Sequence, residues 1–248
     1  MSARLKLTIA YDGSAFAGWQ SQKHGNTIQD RLEAAIQRVV GKSLPVHGAG
    51  RTDAGVHAIG QYAHVDLPDR ARSPDEWRQI LNALLPPQIR IMRARYVKSD
   101  FHARFSVRTK TYRYCIWTAA VLPPLEIGRA WHVMKQVEFE KVERATRLFI
   151  GTHDFAGFAA NRGKKEASTT RTIYRATAKK SGGLLAIEFV GDGFLYKMVR
   201  MMVGAIVEHA TGKIPLVNIS QRLASPRQAT ATRVVAPAEG LILVRIHY

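Results

Sequence analysis

Gly48-Ala49-Gly50-Arg51-Thr52-Asp53-Ala54-Gly55-Val56-His57-Ala58 is the stretch on which the reading of this chain turns. Asp53 stands between an arginine two residues back and a glycine two residues on. Glycines permit unusual backbone angles and close approach by a ligand. Arg51 is suited to pair with Asp53 or with a phosphate. A neighbouring guanidinium favours the ionised carboxylate that a nucleophile or base requires. An Asp in such a run also shapes a turn through its own backbone bonds, and the residues alone leave both readings open.

Outward from this stretch, the chain alternates strand and helix. Arg4 to Tyr11 is predicted as a strand, with Leu5, Leu7 and Ile9 alternating against Lys6 and Thr8. Thr27 to Val40 is predicted as a helix. Thr27 and Asp30 supply a capping-box start, Ile28, Leu32, Ile36 and Val39 one face, and Gly41 the stop. Short strands at Leu44 to Ala49 and Gln61 to Leu67 flank the Gly-rich turn. A second helix starts at Ser73-Pro74, and a strand spans Arg90 to Val97.

Beyond the basic connector Lys98 to Arg108, strands are expected at Thr109 to Thr118, Arg171 to Lys179 and Leu184 to Val190. The last two are joined by the hairpin turn Ser181-Gly182-Gly183. Helices are expected at Phe139 to Ile150, Tyr196 to Thr211 and Leu216 to Ala224, with a closing strand from Leu241 to Tyr248. The two halves repeat this pattern without repeating residues. The expectation is an α+β fold of two similar halves, 1–104 and 105–248, joined into one large, mostly antiparallel mixed sheet with helices packed on it.

The 248 residues include 37 Lys and Arg against 19 Asp and Glu, a net charge of +18. That excess is spread through folded-looking sequence and points to a polyanion, nucleic acid before membrane, since no basic amphipathic helix stands out. With 46% hydrophobic residues the chain has material for a core. A single cysteine, Cys115, excludes an intramolecular disulfide framework and a Cys-rich zinc site, and fits a cytoplasmic location. No signal peptide and no transmembrane helix are expected. His47, His57 and His64 lack metal-site spacing, so no metal is expected.

GRTDAGVHA closely resembles the catalytic motif of the tRNA pseudouridine synthase A family, and the resemblance extends over nearly the whole chain. YDGSAFAGWQ (Tyr11, Asp12, Gly13, Trp19), NALLP (Asn82 to Pro86), DFHARFSV (Asp100 to Val107), KTYRY, GTHDFAGF, FLYKMVRMMVG and the terminal GLILVRIHY are similar to its other blocks, in order. The resemblance implies an isomerase that converts uridine to pseudouridine at positions 38, 39 and 40 of the tRNA anticodon stem-loop. It also implies a homodimer working without cofactor. It makes Asp53 the nucleophile, Tyr112 a contact to the target base, and Arg200 the partner of the catalytic Asp.

The chemistry suits these residue types. A carboxylate serves as nucleophile toward sugar or base, or as a base at the sugar, and sequence does not choose among them. The target uridine must leave its stack, at a cost of roughly a few kcal/mol. A ring such as Tyr112 offers it a face. Leu195, Met198 and Val199 are candidates for an apolar wall or for plain helix core, while Tyr114 reads as packing. Candidate RNA contacts are Arg104, Arg108, Lys110, Arg113, Arg162, Lys164, Lys165 and Lys197. His153 and Asp154 read as capping or loop-anchoring groups. The competing classes are an RNA-binding module without turnover and a metal-dependent nuclease. The scarcity of acidic residues weighs against the nuclease.

Overall fold

The structure is a computed structural model and describes residues 3–23, 25–160, 168–226 and 234–248. In chain order the first elements are β1 (Ala3–Tyr11), α1 (Ile28–Val40), β2 (His47–Gly48), β3 (His57–Leu67), α2 (Pro74–Leu84) and β4 (Ile89–Val97). Then come β5 (Thr109–Trp117), β6 (Trp131–His132), α3 (Phe139–Arg147), β7 (Gly151–Asp154), β8 (Thr170–Ser181) and β9 (Leu184–Gly191). The last are α4 (Met198–Ala210), α5 (Leu216–Ala224) and β10 (Leu241–His247). Among the described residues this is an α+β fold of ten strands in mostly antiparallel pairing with five α-helices, the class expected from the sequence. Contacts divide the chain into two units: Met1–Arg108 with Ile242–Tyr248, and Thr109–Leu241.

The first unit is built on the strand order β4-β1-β3-β10, with β2 paired to β3. In β1 the alternation is complete: Ala3, Leu5, Leu7, Ile9 and Tyr11 are buried and the residues between them are not. One face therefore belongs to the core, as a period of two requires. Helix α1 begins where Thr27 Oγ1 accepts from Asp30 N (3.2 Å) and Asp30 Oδ2 accepts from Thr27 N (3.2 Å). Helix α2 repeats this reciprocal cap with Ser73 and Glu76. Both were legible as S/T-x-x-D/E starts.

The second unit has the order β5-β9-β8-β7, with the two-residue β6 alongside β5 in parallel. Helix α4 is buried at every position but Arg200 and Glu208, so it is core on all sides. It packs against α3.

Several boundaries differ from expectation for physical reasons. β3 starts at His57 and not at Gln61, because His57 and Ala58 pair in parallel with Ile242 and Leu243 at the far end of the chain. Helix α3 ends at Arg147 because Leu148, Phe149 and Ile150 bond three residues back, to Ala145, Thr146 and Arg147. That tightened turn delivers β7. Helix α4 starts at Met198, since Lys197 has a left-handed backbone (φ 58°) that no α-helix accommodates.

Candidate active site

The Gly48–Ala58 stretch leaves the sheet as a loop held on nearly every side by the first unit. On the strand side, Ala49 N donates to Tyr62 O (2.8 Å) and Gln61 Nε2 to Gly50 O (2.8 Å). On the other side, the YDGSAFAGWQ segment grips it. Trp19 N donates to Thr52 O (3.0 Å), and Tyr11 Oη and Thr52 Oγ1 share a buried bond of 2.9 Å. Burial pushes the Tyr11 phenol up to about 12, so the hydroxyl stays neutral. A Cβ on Gly48 would overlap the Trp19 indole, so only glycine lets loop and ring meet. Val56 N closes a turn onto Asp53 O (3.1 Å), with Gly55 at φ 78° just inside it.

Asp53 is half-buried at the head of this turn. Arg51 is exposed, and its Nε donates to Gln20 Oε1 at 3.0 Å. His57 is buried, and Gly13 N donates to its Nδ1 (3.1 Å). Asp12 Oδ1 lies 3.2 Å from the same nitrogen and accepts from Ser14 N and Oγ at 3.0 and 2.6 Å. His64 Nδ1 accepts from Ala103 N (3.1 Å). Among the described residues no group of three or more His, Cys, Asp or Glu could hold a metal ion.

The braces Tyr11, Gln20, Gln61 and His57 were not singled out from the sequence as site residues. Tyr11 and Gln20 fall inside the YDGSAFAGWQ block, which was the available signal. His57 falls inside the GRTDAGVHA motif, whereas Gln61 gave no signal, since its partner is a backbone carbonyl.

In the second unit Tyr112 lies on β5 and is buried, its ring edge-on to Phe194 at 5.0 Å. Tyr114, on the same face, is wholly buried with its hydroxyl on Pro237 O (2.7 Å), a packing residue as expected. Arg200, in the first turn of α4, donates from Nε to Ala236 O (2.7 Å), and Ala236 N returns a bond to Arg200 O (3.1 Å). Leu195, Met198 and Val199 are all buried around that turn. Asp154 caps the turn that follows β7, accepting from Ala156 N (3.0 Å), and His153 Nε2 lies 3.1 Å from Ile150 O.

Of the candidate RNA contacts, Arg104 and Arg108 are exposed and Lys110 and Lys197 half-buried. Lys197 Nζ sits over the Tyr196 ring at 5.2 Å. Arg113 pairs with cross-strand Glu188 at 2.7 Å, which offsets its charge. Arg162, Lys164 and Lys165 lie outside the described residues.

A family model described as tRNA pseudouridine synthase matches residues 7–106 and 145–248. The chain is 47% identical over 251 residues to the tRNA pseudouridine synthase A of Akkermansia muciniphila, covering 99% of this chain and 95% of that one. It is 42% identical over 253 residues to that of Geobacillus kaustophilus (100% and 95% covered). It is 40% identical over 244 residues to that of Acetivibrio thermocellus (98% and 99% covered).

Proposed function

Because this chain belongs to the tRNA pseudouridine synthase family, we propose that it converts uridine to pseudouridine at positions 38, 39 and 40 of the tRNA anticodon stem-loop, with Asp53 as nucleophile. The observation that supports this reading is the bracing of the Arg51-Thr52-Asp53 loop, whose backbone is held from both flanks. A group so held is ready before the substrate arrives and loses little freedom when it reacts.

The reaction breaks the bond from ribose C1′ to uracil N1 and forms one from C1′ to C5, after the ring turns. C5 gives up its hydrogen and N1 gains one, so atoms and electrons balance without oxidant, reductant or cofactor. Asp53 acts as nucleophile or base in that sequence. Tyr112 offers its ring to the extruded uracil, and stacking of this kind is worth ~1–3 kcal/mol per base. Leu195, Met198 and Val199 keep the detached base from water. In this reading Arg200 pairs with the Asp53 carboxylate and aims it, and Arg51, set by Gln20, supports the same carboxylate.

The tRNA partner also accounts for the charge of +18. Arg104, Arg108, Lys110 and Lys197, with Arg162, Lys164 and Lys165, take phosphates, and Arg113 contributes less while paired to Glu188. Two copies form a homodimer whose joined basic faces receive one tRNA, in the cytoplasm. No described helix is long and apolar enough to cross a membrane. Light scattering at working concentration tests the dimer, and a fully active monomer refutes it.

The deciding experiment is pseudouridine formation in a tRNA transcript without added metal. Asp53→Asn is expected to abolish it while leaving tRNA binding largely intact. Turnover by that variant, with contamination excluded, defeats the assignment.

A further inference from the structure

Phe105 is 77% exposed, whereas Phe16, Phe149, Phe155, Phe158 and Phe189 are buried. It is nevertheless held still. His102 Nδ1 accepts from both Arg104 N (3.1 Å) and Phe105 N (3.3 Å). Ser106 Oγ accepts from His102 N (3.0 Å), and Ser106 N donates back to His102 O (3.0 Å). This knot of bonds fixes the turn that carries the ring.

The ring also continues a column. Phe105 lies 4.3 Å from the His102 ring at 32°. His102 meets His64 edge-on at 4.7 Å and 70°, and His64 stacks on His47 at 4.9 Å and 25°. Burial first, then surrounding cations, hold His64 at about 4 and His102 below the ordinary imidazole value. At neutral pH these two rings are uncharged. An exposed cation stands at the end of the column: the Arg104 guanidinium lies 5.8 Å from the Phe105 ring.

We propose that Phe105 is a stacking platform for an unpaired base of the RNA substrate, with Arg104 on the adjoining phosphate. Every base has a π-face, so an ordered, solvent-facing ring beside a cation binds single-stranded nucleotides with little regard to sequence. A protein partner would call for an apolar surround, and here the ring's neighbours are His102 and Arg104 in a chain of +18. The column also reaches the chemistry by a short path. His47 and Gly48 pair with His64 and Ala63, and the chain runs from Gly48 directly into Gly50-Arg51-Thr52-Asp53. A nucleotide on Phe105 is thereby registered against the strand pair that carries the nucleophile's loop. The proposal rests on the RNA-modifying function and adds a positioning residue to it.

The test measures binding of a tRNA transcript by Phe105→Ala, Phe105→Leu and Phe105→Tyr, each made in the Asp53→Asn background so that no turnover is needed. Phe105→Ala is expected to weaken binding about five- to a hundredfold. Phe105→Tyr restores it and Phe105→Leu does not. The thermal midpoint stays put, because so exposed a ring packs little. In Phe105→Trp, emission falls on tRNA addition by more than in the parent. Wild-type binding by Phe105→Ala overturns the platform, and so does rescue by Phe105→Leu, which marks a merely apolar contact. A change of oligomeric state in Phe105→Ala also overturns it, since a second copy then covers the ring. If the native enzyme makes no pseudouridine, the functional reading falls while these binding results still decide the platform.

Discussion

Tyr11 Oη and Thr52 Oγ1 lie 2.9 Å apart in a region closed to water, so the last residue of the first strand is tied to the residue next to Asp53. The strand end is itself locked in the sheet, pairing with Ala58 on one side and Ile89 on the other. The loop thus inherits the rigidity of the sheet through one hydroxyl pair.

Removing that hydroxyl is expected to be felt in both stability and rate. Tyr11→Phe leaves the buried Thr52 hydroxyl short of a partner, at a cost of about 1–3 kcal/mol. For a chain of this size each kcal/mol lowers the melting midpoint by about 2–4 °C. The chemical step should slow more than tRNA affinity changes, because the loop is loosened and no phosphate contact is lost. Calorimetry and single-turnover kinetics read the two effects. An unchanged midpoint with an unchanged rate removes Tyr11 from this role.

His64 makes stability depend on pH on the acid side. Its folded value of about 4 lies below the ordinary 6.5, chiefly through burial, with the charges of Arg4, His47 and His102 adding to it. Between those values the unfolded chain binds a proton that the native imidazole refuses. Stability is therefore full above about pH 6.5 and is lost as pH falls toward 4. His64→Gln should flatten melting midpoint against pH across that window. An equally steep profile in the variant assigns the acid sensitivity to other groups.

These two residues also mark how far sequence reaches. β1, α1 and α2 are legible because their signals are local: strict alternation in Leu5, Leu7 and Ile9, and reciprocal caps at Thr27 and Ser73. The start of β3 is not, because its pairing with β10 joins residues 57 and 242. The two-residue β6 carries no periodicity to detect. Asp53 is legible from its motif, whereas its brace Gln61 bonds the Gly50 carbonyl, a loop position that only the folded chain brings near. The His47, His64 and His102 column is hidden for the same reason. Of the three histidines weighed as a metal signal, His47 and His64 stack on each other, and His102, which meets His64 edge-on, carried no signal of its own.

The charge excess predicts strong salt dependence of tRNA binding. Each neutralised phosphate releases condensed counterion, so log affinity should fall linearly and steeply with log salt. Reversing single candidates separates them: loss of exposed Arg104 or Arg108 should reduce the slope by about one contact's worth, and loss of Arg113 by less, since Glu188 already pairs with it. A flat dependence in the native protein would show that the basic excess serves something other than phosphate.

Arg200 offers the sharpest test of the proposed chemistry. Its Nε–H is committed to Ala236 O at 2.7 Å, and the backbones of the same two residues exchange a further bond of 3.1 Å. Those bonds set the plane of the guanidinium and hence the direction of its two terminal nitrogens. The proposed partner is the Asp53 carboxylate. A planar cation beside it keeps it aimed. Lysine in that place keeps the charge but has one nitrogen, which cannot hold the Ala236 carbonyl and present a planar pair at once. Arg200→Lys is therefore expected to slow the chemical step by about ten- to a hundredfold, the equivalent of losing a charge-assisted bond of roughly 1.5–3 kcal/mol, while saturating with tRNA near the native concentration. The rival role is a grip on phosphate, in which the same variant binds tRNA weakly and reacts at the native rate once saturated. Single-turnover kinetics over a range of enzyme concentrations separates the two, and the second pattern removes Arg200 from the catalytic pair.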